Sequence, residues 1–292
     1  MKIALYARQL SESNHEVATQ LIGEILNRGA MPIIYQPLFN QLKSSLKSLN
    51  HFELYNSGSE IRGNVDFLFS IGGDGTILDT LTQVQDSGIP VLGINVGRLG
   101  FLSSISKLEI TQCLDSLFKG HYTVDKRRLL KLDSSINLFG DVNYALNELT
   151  IHKKDSSSMI IINTFINGEY LNSYWADGLI IATPTGSTGY SLSCGGPIIA
   201  PYSENFVITP IAPHNLNVRP IVVSDENVIS LEVEGRSQYF IASLDSRSVT
   251  IDSSVSLAIK KSDFTMNLLR IGNDNFLDTL RKKLNWGLDS RN

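Results

Sequence analysis

Three stretches of the chain carry residue types at spacings that suit chemistry on a phosphorylated ligand. The first is SIGGDGTILD at 70–79, directly behind the apolar run FLF. Gly72, Gly73 and Gly75 have no Cβ, so the backbone can come close to phosphate oxygens there. A helix starting at this point would add free N–H donors and a partial positive charge, and Thr76 adds a hydroxyl. Asp74 is awkward in such a seat unless it accepts a proton from an attacking hydroxyl or binds a metal. The competing reading is a plain turn, because Asp tolerates the left-handed conformation and bonds its own backbone. The chain has no Gly-Lys dipeptide and no G-x-G-x-x-G, which excludes a Walker loop and the common dinucleotide fingerprint.

The second stretch, ADGLIIATPTGSTGYSLSCGGPIIAP at 176–201, is longer. Thr185, Ser187, Thr188, Tyr190, Ser191 and Ser193 supply hydroxyls and one aromatic face among glycines with free amides. That mixture suits a polar, ring-bearing ligand such as a nucleotide. The alternative is a Gly/Ser-rich loop around a buried Tyr. There is no G-x-S-x-G, so a hydrolase elbow is unsupported. The third stretch is LNEL at 146–149, where Asn147 and Glu148 stand side by side in an otherwise apolar segment. Read locally, it is an edge strand with its polar side chains in water. His214, in the Pro-bounded loop APHNLNVRP at 212–220, reads as a hydrogen-bonded structural residue.

The elements that must position these residues alternate over the first 120 positions. Short apolar strands are expected at 2–6, 32–36, 65–70 and 91–95, and helices at 14–28, near 40–48, at 76–86 and at 107–119. Strands apolar on both faces, alternating with helices, imply a parallel sheet covered by helices, with ligands beyond the carboxyl ends of its strands. From about 121–128 to 265 the pattern becomes strand-like, and ISLEVEG (229–235) alternates with period two. A closing helix over 276–288, with Phe276, Leu277, Leu280 and Leu284 on one face, has no sheet of its own and is expected to pack back on the first half. The fold class is therefore an α/β N-terminal domain plus a β-rich, sandwich-like C-terminal domain. The expected boundaries are 1–123 with 268–292, and 124–267.

Composition narrows the classes of function. The 292 residues are 42% hydrophobic and 18% charged, with a formal net charge of −4, ordinary for a globular enzyme of two domains. That charge argues against a nucleic-acid partner, which usually meets a basic face. An anionic ligand would need local help from cations, backbone amides or a metal. No run approaches the roughly 20 apolar residues that span a bilayer, so no membrane partner is expected. Two widely separated cysteines, Cys113 and Cys194, match no metal or redox spacing and make the cytoplasm the expected compartment.

Taken together, GGDGT at 72–76, NVGRLGFL at 95–102, Asn147-Glu148, DGLIIATPTGSTGYSLSCGGPI at 177–198 and PHNLNVRPIVV at 213–223 resemble the NAD kinase family over nearly the whole chain. The resemblance implies transfer of the ATP γ-phosphoryl group to the 2′-hydroxyl of the adenosine ribose of NAD, giving NADP. Mg²⁺ would bridge the ATP phosphates, and the protein would be a homodimer or homotetramer. It further implies Asp74 as proton acceptor beside Gly75, and Asn147 and Glu148 as holders of the adenosine portion. Thr188, Gly189, Tyr190, Ser191, Leu192 and Ser193 would line the adenine and ribose pocket, with Tyr190 against the base. Asp177 would touch the dinucleotide near a subunit interface. Three positions depart from the family: Gly189 stands where Ala is common, and Trp175 where a basic residue is frequent. Asp245-Ser246-Arg247 replaces Asp-Gly-Gln, which leaves Arg247 as a possible phosphate partner. Two rival readings are a lipid kinase of the diacylglycerol or sphingosine type, which shares the glycine turn, and a non-catalytic NADP(H)-binding sensor.

Overall fold

A computed structural model of the chain describes residues 1–46, 51–97, 100–103, 105–154, 158–272 and 275–287. Parts of three sequence expectations, the loop 95–102 and the helices at 40–48 and 276–288, lie outside the described residues. The chain forms two compact units, Met1–Lys126 with Met266–Asn292, and Arg127–Thr265.

In the first unit the order is β1 (Lys2–Tyr6), α1 (Glu12–Asn27), β2 (Met31–Tyr35), α2 (Gln36–Leu42), β3 (Glu53–Tyr55), α3 (Gly58–Ile61), β4 (Phe67–Ile71), α4 (Asp74–Val84), β5 (Val91–Asn95), β6 (Ile105–Ser106) and α5 (Ile110–Phe118). The strands pair in parallel in the order β5-β4-β1-β2-β3, with β6 beside β5. β4 and β5 are buried along their whole lengths, as strands covered on both faces must be. Ile3, Leu5, Phe69 and Leu92 from the sheet pack with Leu21, Ile22 and Ile25 of α1 and with Leu114 and Leu117 of α5. Each such fully buried side chain contributes about 1.5–3 kcal/mol of transfer free energy.

The second unit begins in β7 (Thr123–Ser134), which pairs with β8 (Tyr144–Ala145). β9 (Glu148–Lys153), β10 (Ile160–Ile166), β11 (Glu169–Ala176) and β12 (Gly178–Ala182) precede the short helix α6 (Tyr190–Ser193). β13 (Asn205–Ile211), β14 (Ile221–Ser224), β15 (Ile229–Gly235), β16 (Tyr239–Leu244), β17 (Arg247–Asp252) and β18 (Leu257–Arg270) follow. One antiparallel sheet has the order β14-β13-β12-β9-β16-β17, and β11, β10, β15 and the start of β18 pair in a second. Ile160, Ile162, Leu231 and Val233 of the latter share one core with Leu149, Ile151, Leu179, Ile181, Phe206 and Phe240 of the former, which makes this unit a sandwich.

The end of β18 belongs to the first unit, where Leu268 pairs in parallel with Val91 of β5. Behind it comes α7 (Phe276–Leu284), capped by Asn275, whose side chain accepts from the Asp278 amide at 3.0 Å. The helix does return to the first unit: Leu280 is buried, and Lys283 Nζ lies 5.7 Å from the centre of the Phe101 ring. Leu277, expected on the packed face, is exposed instead.

Candidate functional site

β4 ends at Ile71 and α4 begins at Asp74, so Gly72 and Gly73 make the whole connection. A Cβ on Gly72 would stand 2.2 Å from Thr76 Oγ1, whereas one on Gly73 or Gly75 would meet nothing within 4 Å. The N-cap of α4, Gly73, offers no side chain to the first amides. The turn therefore presents bare backbone and a helix N-terminus at the carboxyl end of a central parallel strand, which is a seat for an anion.

Asp74 leans across this turn toward 100–103. Its Oδ2 accepts from Phe101 N–H at 2.7 Å, and Oδ1 accepts from Leu102 N–H and Ser103 N–H, each at 3.0 Å. Ser103 Oγ adds a fourth bond at 3.2 Å and itself accepts from Asn95 Nδ2 at 3.1 Å. The approach is so close that a Cβ on Gly100 would lie 1.8 Å from Asp74 Oδ1. The carboxylate that the sequence singles out is thus fully engaged by its own unit, with charge-assisted bonds to three amides.

In the second unit, the pair expected in an edge strand is not at an edge. β9 lies between β12 and β16, bonded on both sides. Asn147 and Glu148 stand at its entrance, and Asn147 Oδ1 and Glu148 Oε2 are buried without a hydrogen-bond partner. A buried polar atom left unpaired costs roughly 1–3 kcal/mol, so these two mark where a ligand donor is needed. Burial, and then the charge of Asp245, push the Glu148 carboxyl up to about 8.

The Gly-rich stretch is laid directly against this pair. Thr183 N–H donates to Asn147 O at 2.8 Å, Thr183 Oγ1 to Leu146 O at 2.5 Å, and Gly186 N–H to Thr183 Oγ1 at 3.1 Å. A Cβ on Gly186 would sit 2.1 Å from Asn147 O, and one on Gly189 would sit 3.2 Å from Glu148 Oε2. Only glycine at 186 permits that approach. Thr185 is buried and accepts from Arg127 Nη1 at 3.2 Å, while Thr188 Oγ1 donates to Thr185 O at 3.2 Å. Tyr190 is exposed, with a phenol raised by partial burial and by the charges of Cys194 and Asp177. Leu192 is half-buried and Ser193 exposed beside it. Asp177 forms an ion pair with Lys153 at 2.6 Å.

Two of the expected contacts have other employment. Ser191 is fully buried with its hydroxyl 2.8 Å from that of Thr209, which joins α6 to β13. Arg247 gives Nη1 to Val142 O and Nη2 to Tyr144 O and stacks its guanidinium on Phe139, so the groups that would clasp a phosphate are spent on backbone. His214 is exposed and serves through its amide, which donates to Trp175 O at 2.8 Å; the Trp175 ring is itself exposed. Asp245, Thr183 and Arg127 were the residues that local reading missed. Only Asp245 left a trace, as an Asp in a two-residue turn between alternating strands.

Comparison with known proteins places these two clusters in one family. Residues 3–122 match the ATP-NAD kinase N-terminal domain, and residues 146–271 match the ATP-NAD kinase C-terminal domain. The chain belongs to the ATP-NAD kinase family. The NAD kinase of Cytophaga hutchinsonii is 47% identical over all of both chains, and that of Bacteroides fragilis 44%. Among solved structures, an NAD kinase from Archaeoglobus fulgidus in complex with ATP is 27% identical, with a TM-score of 0.74 over 98% of this chain and 99% of that one. Yeast NADH kinase complexed with NADH shares the fold at 24% identity, with a TM-score of 0.87 over 99% and 88% of the two chains. Membership makes the chain a phosphotransferase with an alcohol acceptor. Neither the lipid-kinase nor the sensor reading finds support in these matches.

Proposed function

We propose that the chain transfers the γ-phosphoryl group of ATP to the 2′-hydroxyl of the adenosine ribose of NAD. A bond forms between the 2′-oxygen and the γ-phosphorus, the bond from that phosphorus to the β,γ-bridging oxygen breaks, and the products are NADP, ADP and a proton. The observation that carries this reading is the unpartnered pair Asn147 Oδ1 and Glu148 Oε2. In a family whose relatives are NAD kinases, these atoms would accept from the adenosine portion of NAD. Gly189, Tyr190, Leu192 and Ser193 would border the base and ribose, Thr185 and Thr188 would hold that wall in place, and Asp177 and Trp175 would meet the rest of the dinucleotide.

ATP phosphates would rest on the amides of Gly72, Gly73, Gly75 and Thr76, where the open side of the turn and the helix dipole favour them. Among the described residues no group of three or more His, Cys, Asp and Glu is arranged to hold a metal. Mg²⁺, whose shell is commonly filled by phosphate oxygens and water, would be carried by the nucleotide and neutralise its charge. Asp74 would take the 2′-hydroxyl proton once the amides of 101–103 give it up. The loose transition state of phosphoryl transfer makes positioning worth more than base strength at that step. A homodimer or homotetramer in the cytoplasm fits the exposed Trp175, Tyr170 and Leu216 and the free Cys113 and Cys194.

The test is a coupled assay with protein, NAD, ATP and Mg²⁺, reading NADP with a dehydrogenase specific for it. Asp74→Asn is expected to fold, to bind NAD by calorimetry, and to lose about 100-fold or more in turnover. Wild-type turnover in that variant would remove Asp74 from the chemistry.

A further inference from the structure

The turn from β16 to β17 is about a hundred residues away from Asn147 in sequence, yet it holds the segment that carries it. Asp245 adopts the left-handed conformation, with φ of 51°, which suits Asp better than most residues and directs its carboxylate at the entrance of β9. Oδ2 accepts from Leu146 N–H at 2.8 Å, and Oδ1 accepts from Asn147 N–H at 2.8 Å and Glu148 N–H at 3.1 Å. The Asp245 amide returns a bond to Glu148 O at 3.0 Å. Two residues on, Arg247 donates to Val142 O and Tyr144 O. Residues 142–148 are thus tied by both charged side chains of one turn, and the segment ends in the two side-chain atoms that have no partner.

We propose that Asp245 and Arg247 are positioning residues for the dinucleotide: they fix the backbone of 142–148 so that Asn147 Oδ1 and Glu148 Oε2 stand ready for NAD. The proposal rests on reading that pair as the NAD seat. Neither residue touches the substrate, and Arg247 does for the backbone what the sequence suggested it would do for a phosphate. An ordered backbone spares the ligand the cost of arranging its own partners, which is affinity gained by preorganisation. Burial first, and then the turn, raises the carboxyl of the seat. Asp245 is the charged group acting on Glu148, and Arg247 in turn acts on Asp245. Gly186 and Gly189, which face the pair from the other side, bring no charge.

Asp245→Asn, Arg247→Ala and Arg247→Lys in the full chain test this, with NADP formation measured against NAD and against ATP from pH 6 to 9.5. Asp245→Asn keeps the shape but loses acceptor capacity and charge. It is expected to raise KM for NAD about ten-fold or more, the effect of losing one strong buried bond, while KM for ATP stays within about two-fold. The midpoint of the pH dependence of KM for NAD should move to lower pH, because burial still raises the Glu148 carboxyl but the negative neighbour that adds to the shift is gone. Arg247→Ala should raise KM for NAD, and Arg247→Lys should recover part of the loss, since an ammonium can still reach one of the two carbonyls. If Asp245→Asn does not fold, as judged by circular dichroism, the Arg247 pair decides alone. A lowered melting temperature with unchanged KM for NAD and unchanged pH midpoint would make the turn merely structural and overturn the proposal. No NADP from the wild-type chain would instead sink the kinase reading itself.

Discussion

At Gly189 a Cβ would meet Glu148 Oε2 and Gly186 O at 3.2 Å and Asn147 Nδ2 at 3.4 Å. Two of these are ends of side chains that can yield by a few tenths of an ångström, and the φ of −93° is not the left-handed conformation that favours glycine. Gly189→Ala is therefore expected to keep the seat intact, with KM for NAD changed by less than about three-fold. Its stability should change by no more than about 1 kcal/mol, the gain from a stiffer unfolded chain being offset by strain at a ψ of −131°. Steady-state kinetics and a urea melt check both numbers. A ten-fold rise in KM would show that Glu148 Oε2 has no room to move. The same question at Gly186 has the opposite answer, because there the obstacle, Asn147 O at 2.1 Å, is backbone.

Between residue and fold lie the connections, and the one around Asp74 is the most constrained. Gly93 supports it from below, where a Cβ would stand 2.8 Å from Ser103 Cα, and Gly100 from the side. Gly100→Ala must push the carboxylate off the amides of Phe101, Leu102 and Ser103. Hydrogen exchange at those three amides should then quicken about ten-fold or more, as expected for losing a charge-assisted bond, while exchange in β4 and β5 stays slow. Unchanged protection at 101–103 would mean that the loop holds itself without Asp74. Elements of this size were unevenly legible in the sequence. β1 and β5 span the expected 2–6 and 91–95, because burial makes 3–6 and 91–94 runs without a charged residue. β3 and α3, of three and four residues, are too short for any period to emerge. The entrance of β9 misled for a different reason: its neighbours β12 and β16 lie roughly 30 and 90 residues downstream, so nothing local tells an interior strand from an edge. The clustering of Asn147 and Glu148 with the Gly-rich stretch followed from chain order in the resemblance. The hold of Asp245 and Arg247 on 142–148 did not, since it depends on pairing registers and on one left-handed residue.

For the molecule as a whole, a seat with an unpaired carboxyl carries a cost that depends on pH. The folded state holds the Glu148 proton up to about 8, whereas an unfolded chain releases it near 4.5. Between those values the native state binds more protons than the unfolded one, so stability falls as pH rises through the window and the loss is complete above about 8. Asp225 and Asp245, also raised mainly by burial, act in the same direction. Glu109, Glu226 and Asp252 are lowered by hydrogen bonds from Ser106, Lys261 and Ser254, so their contribution is present at neutral pH and lost only in acid. Opposed in this way, the groups place maximal stability on the mildly acidic side. Glu148→Gln removes one of the titrations that weaken the fold as pH rises and keeps the side chain's shape. Its melting temperature should exceed that of the wild-type chain at pH 9, the difference shrinking toward pH 5 until the two curves meet. NAD binding should weaken at the same time, because an amide cannot present the carboxyl oxygens at the seat. Melting curves that run parallel from pH 5 to 9 would show that Glu148 is already charged in the folded chain, and that the pair at the entrance of β9 is solvated by something other than its ligand.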